Sequence, residues 1–300
     1  MLLRPKLERN KTMTSSATQA ETTSSTSTLA RKKLALLGCG KLGTILLQAF
    51  LERGLVGKDE AIATIQHENR CQTLSDQLGG VALSTNNHEA VADAPIVLIC
   101  VKPQAMPQLL AEIAPVLKPG TLVISVVTSA TLPFIQQQLG NDIAVIRAMP
   151  NTPAMVGAGM TGLAAGVSAR EEHLETAKGL FESVGRVAVV DEKHMDAITA
   201  LSASGPAFVF VILESLAEAG VKVGLPRDLA TTLAAQTLYG AAQLALKTGH
   251  HPALLKDSVT TPAGCTIDGL IELEKGGLRV TLINAIITTT NRARELMTKA

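Results

Sequence analysis

Two stretches hold the residues whose types and spacing could do chemistry. The first is Asp257-Ser258-Val259-Thr260-Thr261-Pro262-Ala263-Gly264-Cys265-Thr266-Ile267-Asp268, small residues and hydroxyls in a turn just ahead of a fresh helical pattern. Such a turn presents free backbone N–H groups and a positive dipole end, which suit a carboxylate. The second is Gly38-Cys39-Gly40-Lys41-Leu42-Gly43, which has the spacing of a dinucleotide fingerprint. A nucleotide loop and an anion-cradling hydroxyl loop in one chain imply a reductase for a small acid.

The fingerprint gains weight from its surroundings. It directly follows the apolar run 34–37 and opens a pattern with Leu42, Ile45, Leu46, Ala49 and Phe50 on one helical face. Gly38 permits the tight turn, Gly40 lets backbone approach a pyrophosphate, and Gly43 allows close helix–strand packing. A plain glycine-rich strand–helix turn would use the same residues, but the strand–loop–helix context favours the nucleotide. The end of the second strand chooses the cofactor, because an acid there grips a ribose 2′-hydroxyl and repels a 2′-phosphate. This chain has Gln66 and His67 there, with Arg70 shortly after, which favours NADP over NAD. Glu68 and a solvated Arg70 keep NAD open.

Two more loops fall at strand ends, where ligands of such sheets bind. Val101-Lys102-Pro103 follows the apolar run from residue 96, and Ala148-Met149-Pro150-Asn151-Thr152-Pro153 follows the run from 144. Either could be no more than a proline-stiffened connection. Lys102 reads as structural, with a backbone contact to cofactor, rather than as a catalytic amine.

Positioning these loops needs a scaffold. Apolar runs at 34–37, 61–65, 96–101, 122–127, 144–148, 159–165 and 187–190 alternate with helical patterns. Continuous apolar strands separated by helices predict a parallel sheet covered on both faces. Gly54 is a plausible stop for the first helix. After His194 the pattern is wholly helical, with Pro206, Pro226 and Pro252 in first turns and Gly220 and Gly249 as stops. Small apolar residues repeat at Ala234, Leu238, Ala241, Ala242 and Ala245, and Leu278, Leu282, Ala285 and Ile286 share a face. Such faces suit burial against a second subunit. The expected fold is α/β: an N-terminal Rossmann-type doubly wound sheet over 31–191 and an all-helical dimerisation and substrate domain over 192–300. Residues 1–30, Ser/Thr-rich with little apolar content, read as a disordered tail.

Composition removes other classes. The chain of 300 residues is 46% hydrophobic with no Trp, one Tyr and five Phe, so its cores must be aliphatic. A net charge of +1 and no Lys/Arg block argue against nucleic acid and anionic membrane as partners. The longest apolar runs, such as 94–101, are too short to span a bilayer. The scattered cysteines Cys39, Cys71, Cys100 and Cys265 predict no disulfide framework and no metal site, and favour a reducing, cytoplasmic setting. Arg4, Lys6, Arg9 and Lys11 hint at mitochondrial import, which Glu8 and Glu21 weaken.

Taken in order, the motifs resemble the pyrroline-5-carboxylate reductase family from Leu34 to Met297. The resemblance is carried by residues 38–43, Val101-Lys102-Pro103, Met149-Pro150-Asn151-Thr152-Pro153, Ser204-Gly205-Pro206-Ala207, Gly224-Leu225-Pro226 and the run 255–266. It implies reduction of the C=N bond of L-1-pyrroline-5-carboxylate to L-proline by NADPH or NADH, in a homodimer or larger homo-oligomer whose helical domains interleave. It implies an active-site hydroxyl at Thr266 and a carboxylate loop of Thr261, Pro262, Ala263, Gly264, Cys265 and Thr266, with Thr131 nearby. It places cofactor contacts on residues 38–43, Gln66, Asn87 and Val101-Lys102-Pro103, with Asn151 near the nicotinamide. Two departures stand out. Thr261-Pro262-Ala263-Gly264 replaces the family's Ser-Pro-Gly-Gly, and Thr128-Ser129-Ala130-Thr131 replaces Ala-Gly-Val-Thr.

The residues fit that chemistry on their own terms. A protonated cyclic imine is already electrophilic, so a hydroxyl loop without His or an acid dyad suffices. Thr266 Oγ1 would order the ring nitrogen, and backbone N–H groups around residues 263–265 would hold the carboxylate. Thr266 could also be a helix N-cap, though Gly269 breaks the capping box. Cys265 reads as a small buried residue, and His250-His251 as a solvated loop. Two alternatives stay open: a β-hydroxyacid dehydrogenase, with Lys222, Lys247 or Lys256 as catalytic lysine, and a non-catalytic NADP-sensing scaffold.

Overall fold

The strand β1 (Leu34–Leu37) is buried along its whole length, as a continuous apolar run between two layers of helices must be. The computed structural model to which it belongs describes residues 34–297, so the expected tail at 1–30 lies outside the described residues. From β1 the chain runs through α1 (Lys41–Glu52), β2 (Ala61–Thr64), α2 (Cys71–Gln77), β3 (Ala82–Ser84), α3 (Asn87–Val91), β4 (Ile96–Ile99) and α4 (Met106–Ile113). It continues with β5 (Leu122–Ser125), α5 (Leu132–Leu139), β6 (Ala144–Met149), β7 (Gly159–Ala165), α6 (Glu171–Glu182) and β8 (Gly185–Val189).

These strands form one sheet in the order β3-β2-β1-β4-β5-β6-β7-β8. The order reverses between β1 and β4, and ligands of such sheets bind in the crevice beyond that switch point. Alternate residues face opposite layers. Leu34, Leu36, Leu98 and Ile124 pack with Phe50 of α1 and Phe181 of α6, whose rings meet edge-to-face at 6.2 Å. Ala35, Leu37, Val97 and Val123 pack with Leu110 of α4 and Ile135 of α5.

The expectation of a wholly parallel sheet is corrected at one place. β6 and β7 are antiparallel, with Arg147 opposite Ala164, and β8 runs parallel to β7. A parallel return needs a crossover of about a dozen or more residues, usually helical. Residues 150–158 hold only a short 3₁₀ turn, Thr152–Val156, which Gly157 ends at φ 69°. The strand β3 escaped the sequence reading because it is a three-residue, partly exposed edge strand with no apolar run.

Beyond β8 the chain is helical: α7 (Met195–Ile198), a π-helical turn (Thr199–Ala203), α8 (Gly205–Lys222), α9 (Arg227–Thr248), α10 (Pro252–Ser258), α11 (Cys265–Lys275) and α12 (Leu278–Met297). α8 packs along α9, while α12 packs on α7, the π-turn and α11. Pro206 and Pro252 do lie in first turns, whereas Pro226 stands one residue before α9. Gly249 ends α9 in the left-handed conformation. Gly220 does not end a helix. It lies inside α8, where an added Cβ would stand 2.9 Å from Ala230 Cβ, so its role is the close approach of α8 and α9.

The view that no apolar run reaches membrane-spanning length also needs correction. The stretch from Glu192 to Lys222, taken across the π-turn and the bend at Ser204, is by length and composition alone apolar enough to cross a bilayer. Its surface is largely uncovered in the single chain: Phe210 is 61% exposed, and on α9 Leu233 and Leu244 are nearly half exposed. Ala241 and Ala242, on the small-residue face of α9, are exposed as well.

Candidate active site

The fingerprint loop turns at the carboxyl end of β1. Gly38 sits at φ +89°, and a Cβ there would stand 2.7 Å from Val101 Cγ1 and 3.0 Å from the Val101 nitrogen. Only glycine accepts both the backbone angle and the contact. Gly43 is as constrained, 2.9 Å from the Gly38 carbonyl and 3.0 Å from Leu36 Cδ2 at its missing Cβ. Gly40 differs: its Cβ direction is open space. Gly40 is the N-cap of α1 with no side chain capping it, and the first bond of the helix is from Thr44 N to the Gly40 carbonyl at 2.9 Å. The amides of Lys41, Leu42 and Gly43 therefore point beyond the helix end, as an anion site requires.

Thr64 ties this loop to its surroundings, and the sequence reading passed over it. Its hydroxyl donates to Asn87 Oδ1 at 2.8 Å and accepts from Gly38 N at 3.3 Å. Its carbonyl accepts from Cys39 N at 2.7 Å. Asn87 in turn donates to Glu112 Oε2 at 3.1 Å. A threonine at the end of a buried strand was visible, but nothing in the spacing marked Gly38 and Asn87 as its partners. Gln66 and residues 67–70 lie just past β2 and are exposed.

Burial pushes the Cys39 thiol up, against a hydrogen bond with Thr44 and the nearby Arg70 guanidinium. Arg70 thus stands within electrostatic reach of the fingerprint. Burial raises the Cys100 thiol much further, helped by Cys39. Both thiols stay protonated and act as apolar packing.

The other strand-end loops converge on the same edge. Val101 meets Gly38, while Lys102 is exposed and precedes the 3₁₀ turn Pro103–Ala105. Pro103, Met106 and Pro107 line one side of a small cavity, and Thr128, Ser129, Ala130 and Thr131 line the other. Thr131 is the N-cap of α5, accepting from Phe134 N at 3.3 Å. Asn151 spends both ends of its amide: Oδ1 accepts from Met160 N at 2.9 Å, and Nδ2 donates to the Ser202 carbonyl at 3.2 Å.

The hydroxyl loop is built as a turn feeding α11. Gly264 N donates to the Thr261 carbonyl at 3.1 Å, Pro262 follows Thr261, and Ala263 sits at φ +55°. These are the marks of a type II turn. Gly264, not Thr266, is the N-cap, so the capping alternative for Thr266 is removed. Thr266 occupies the second helical position, where no helical carbonyl lies four residues back to take its hydroxyl. Threonines deeper in helices, such as Thr232 and Thr248, spend theirs that way. Cys265 is exposed rather than buried. Within the chain α11 packs mainly on α12, and the cavity beside Thr131 is lined by no residue of 261–266.

Both departures from the resembled pattern fall on left-handed backbone. Ser129 at φ +70° and Ala263 at φ +55° are the two non-glycine residues with positive φ among the described residues, and each stands where the family pattern has glycine. A left-handed L-residue costs about 1–2 kcal/mol, partly offset by the greater freedom glycine has when unfolded. Ala263→Gly and Ser129→Gly are each expected to raise stability by about 0.5 kcal/mol. Chemical denaturation of the purified protein measures this, and a clear loss of stability would contradict the left-handed assignment.

Comparison with known proteins agrees with this layout. The profile described as pyrroline-5-carboxylate reductase dimerisation matches residues 192–296, and that described as NADP oxidoreductase coenzyme F420-dependent matches 33–129. A pyrroline-5-carboxylate reductase of Glycine max is 40% identical over 263 residues, 88% of this chain and 95% of that one. Two solved structures superpose at TM-score 0.82. The pyrroline-5-carboxylate reductase of Coxiella burnetii is 32% identical, covering 89% of this chain and 98% of its own. The pyrroline carboxylate reductase of Plasmodium falciparum, solved with NADP bound, is 27% identical, covering 90% and 99%. With both halves of the chain spanned at such identity, it belongs to the pyrroline-5-carboxylate reductase family.

Proposed function

We infer that this chain reduces the C=N bond of L-1-pyrroline-5-carboxylate to give L-proline. The observation that carries the reading is 40% identity to a named reductase across both loop-bearing halves, joined to an uncapped α11 with a free hydroxyl in its first turn. The fingerprint fits a dinucleotide: Gly40 leaves room for a pyrophosphate and the α1 amides face it. Reduced nicotinamide, when bound there, supplies the hydride. The first-turn amides of α11 hold the substrate carboxylate, and Thr266 Oγ1 hydrogen-bonds the ring nitrogen and orients its proton. Holding the ring against the crevice edge supplies much of the acceleration. NADPH is the preferred donor in this reading, since no acid ends β2 and Arg70 lies close to Cys39. The β-hydroxyacid alternative is disfavoured because Lys222, Lys247 and Lys256 are exposed, with Lys256 paired to Asp257 at 2.6 Å. Purified protein should consume NADPH with pyrroline-5-carboxylate and not with hydroxyisobutyrate-type acids. The reverse pattern would overturn the assignment.

The two loops meet in a dimer. The apolar faces of α8 and α9 that the single chain leaves exposed supply the contact, and residue 191 is the division between the two halves. Each site then pairs the crevice of one protomer with the hydroxyl loop of its partner. Mixing Thr266→Ala chains with Gly40→Val chains, each nearly inactive alone at an NADPH concentration that fills only the wild-type site, is expected to restore about a quarter of the wild-type activity, because one site of each hybrid dimer is intact. A site built within one chain would give none. Four scattered cysteines with no pair among them fit a reducing compartment such as the cytoplasm.

A further inference from the structure

Arg147 is the largest of the fully buried side chains, 1% exposed in the middle of β6. Its Nη1 lies 3.3 Å from Glu192 Oε1 and its Nη2 3.9 Å from Asp196 Oδ1. Its Nε and Nη2 find no hydrogen-bond acceptor among the described residues. Taking a guanidinium out of water with its donors half met is costly, and an apolar side chain of similar length would fill the space without that cost. Stability alone gives no reason for an arginine here.

The partners suggest the reason. Glu192 and Asp196 stand where the chain leaves the sheet for the helices. The same Glu192 Oε1 accepts from Leu132 N at 2.5 Å, the first amide of α5, and so anchors the loop ending at Thr131. Asp196 also faces Arg294 Nε of α12 at 3.9 Å. One cluster of two cations and two carboxylates thus joins the sheet, the loop beside the crevice, the connecting segment and the terminal helix. A few residues along, Asn151 binds Ser202 in the π-helical turn, the kind of helix irregularity that marks functional sites.

We propose that Arg147 is a positioning residue for the reaction. Through Glu192 and Asp196 it fixes how the helical half sits on the sheet, and through Glu192 it fixes the 128–131 loop, so that ring and hydride donor meet at reacting distance. The proposal rests on the imine-reductase reading, which the wild-type assay tests separately. A wild type that turns over no imine defeats that reading, whereas an active wild type leaves Arg147 to be judged by its variants.

The variants are Arg147→Met, Arg147→Lys and Glu192→Gln. Misplacement of about 1 Å far from the chemistry can cost a hundredfold in rate, and a partly held junction should cost about tenfold in kcat for Arg147→Met. Lysine offers one point charge in place of a fork and should recover only part. Three readouts separate positioning from bulk destabilisation. The deuterium isotope effect with 4-deuterated NADPH should rise as hydride transfer becomes limiting. The NADPH Kd, measured by fluorescence on the same protein, should stay within about twofold, because the fingerprint is untouched. Amide exchange at Leu132 should quicken. If Arg147→Met does not fold, Glu192→Gln carries the test, since it keeps volume and removes only the charge. Unchanged kcat per folded site and unchanged isotope effect in the variant that folds would overturn the proposal, as would a loss of activity that merely follows lost NADPH binding.

Discussion

Thr266→Ala is expected to lower kcat for pyrroline-5-carboxylate by about a hundredfold or more, while Thr266→Ser keeps most of the activity. The expectation follows from position. Thr266 stands one residue into α11, behind the Gly264 N-cap, so its hydroxyl is required neither for capping nor for a bond to the preceding turn. Alanine at a half-exposed first-turn position removes little packing and is a good helix former, so the fold should survive. Whatever is lost is lost from the chemistry. Serine keeps the oxygen and drops a methyl, which separates hydrogen bonding from shape. Steady-state kinetics at saturating NADPH give the answer: an alanine variant with wild-type kcat would remove Thr266 from the reaction and leave the carboxylate cradle as the whole contribution of this loop.

Much of this site was legible in the chain because its features are local. The fingerprint glycines, the strand that feeds them and the hydroxyl turn before α11 each occupy a handful of consecutive residues, and local periodicity and turn chemistry suffice to find them. The reading failed where the determinant was distant or absent from one chain. The reversal of β7 depends on how much chain lies between 149 and 159, not on the apolar content of the strand itself. Gly220 looks like a helix stop until the facing Ala230 is known. Arg147 is a lone cation in an apolar run, and its partners Glu192 and Asp196 lie 45 and 49 residues on, where the sheet domain gives way to the helical pattern. Thr64 is likewise explained only by Gly38 and Asn87, on either side of it in sequence. The hydroxyl loop is legible as a turn before a helix, but its place in the fold is not, since α11 packs mainly on α12, the next helix in the chain.

The three fingerprint glycines should part company under substitution, and Gly40 gives the larger functional effect. At Gly40 a side chain enters open space on a backbone that valine adopts readily, φ −82° and ψ −160°. The fold should tolerate Gly40→Val at a cost of up to about 1 kcal/mol for the poorer N-cap. That open space is where a pyrophosphate must approach the α1 amides, so NADPH binding should weaken about a hundredfold, near 2.7 kcal/mol. Gly38→Ala should do the reverse. Its left-handed backbone and the 2.7 Å approach to Val101 Cγ1 force the β1 and β4 loops apart, and thermal stability should drop before any ligand is added. Calorimetric titration with NADPH, read beside the unfolding temperature of each variant, distinguishes the two. If Gly40→Val binds NADPH as the wild type does, the pyrophosphate does not pass over α1, and the crevice between β1 and β4 is not the cofactor site.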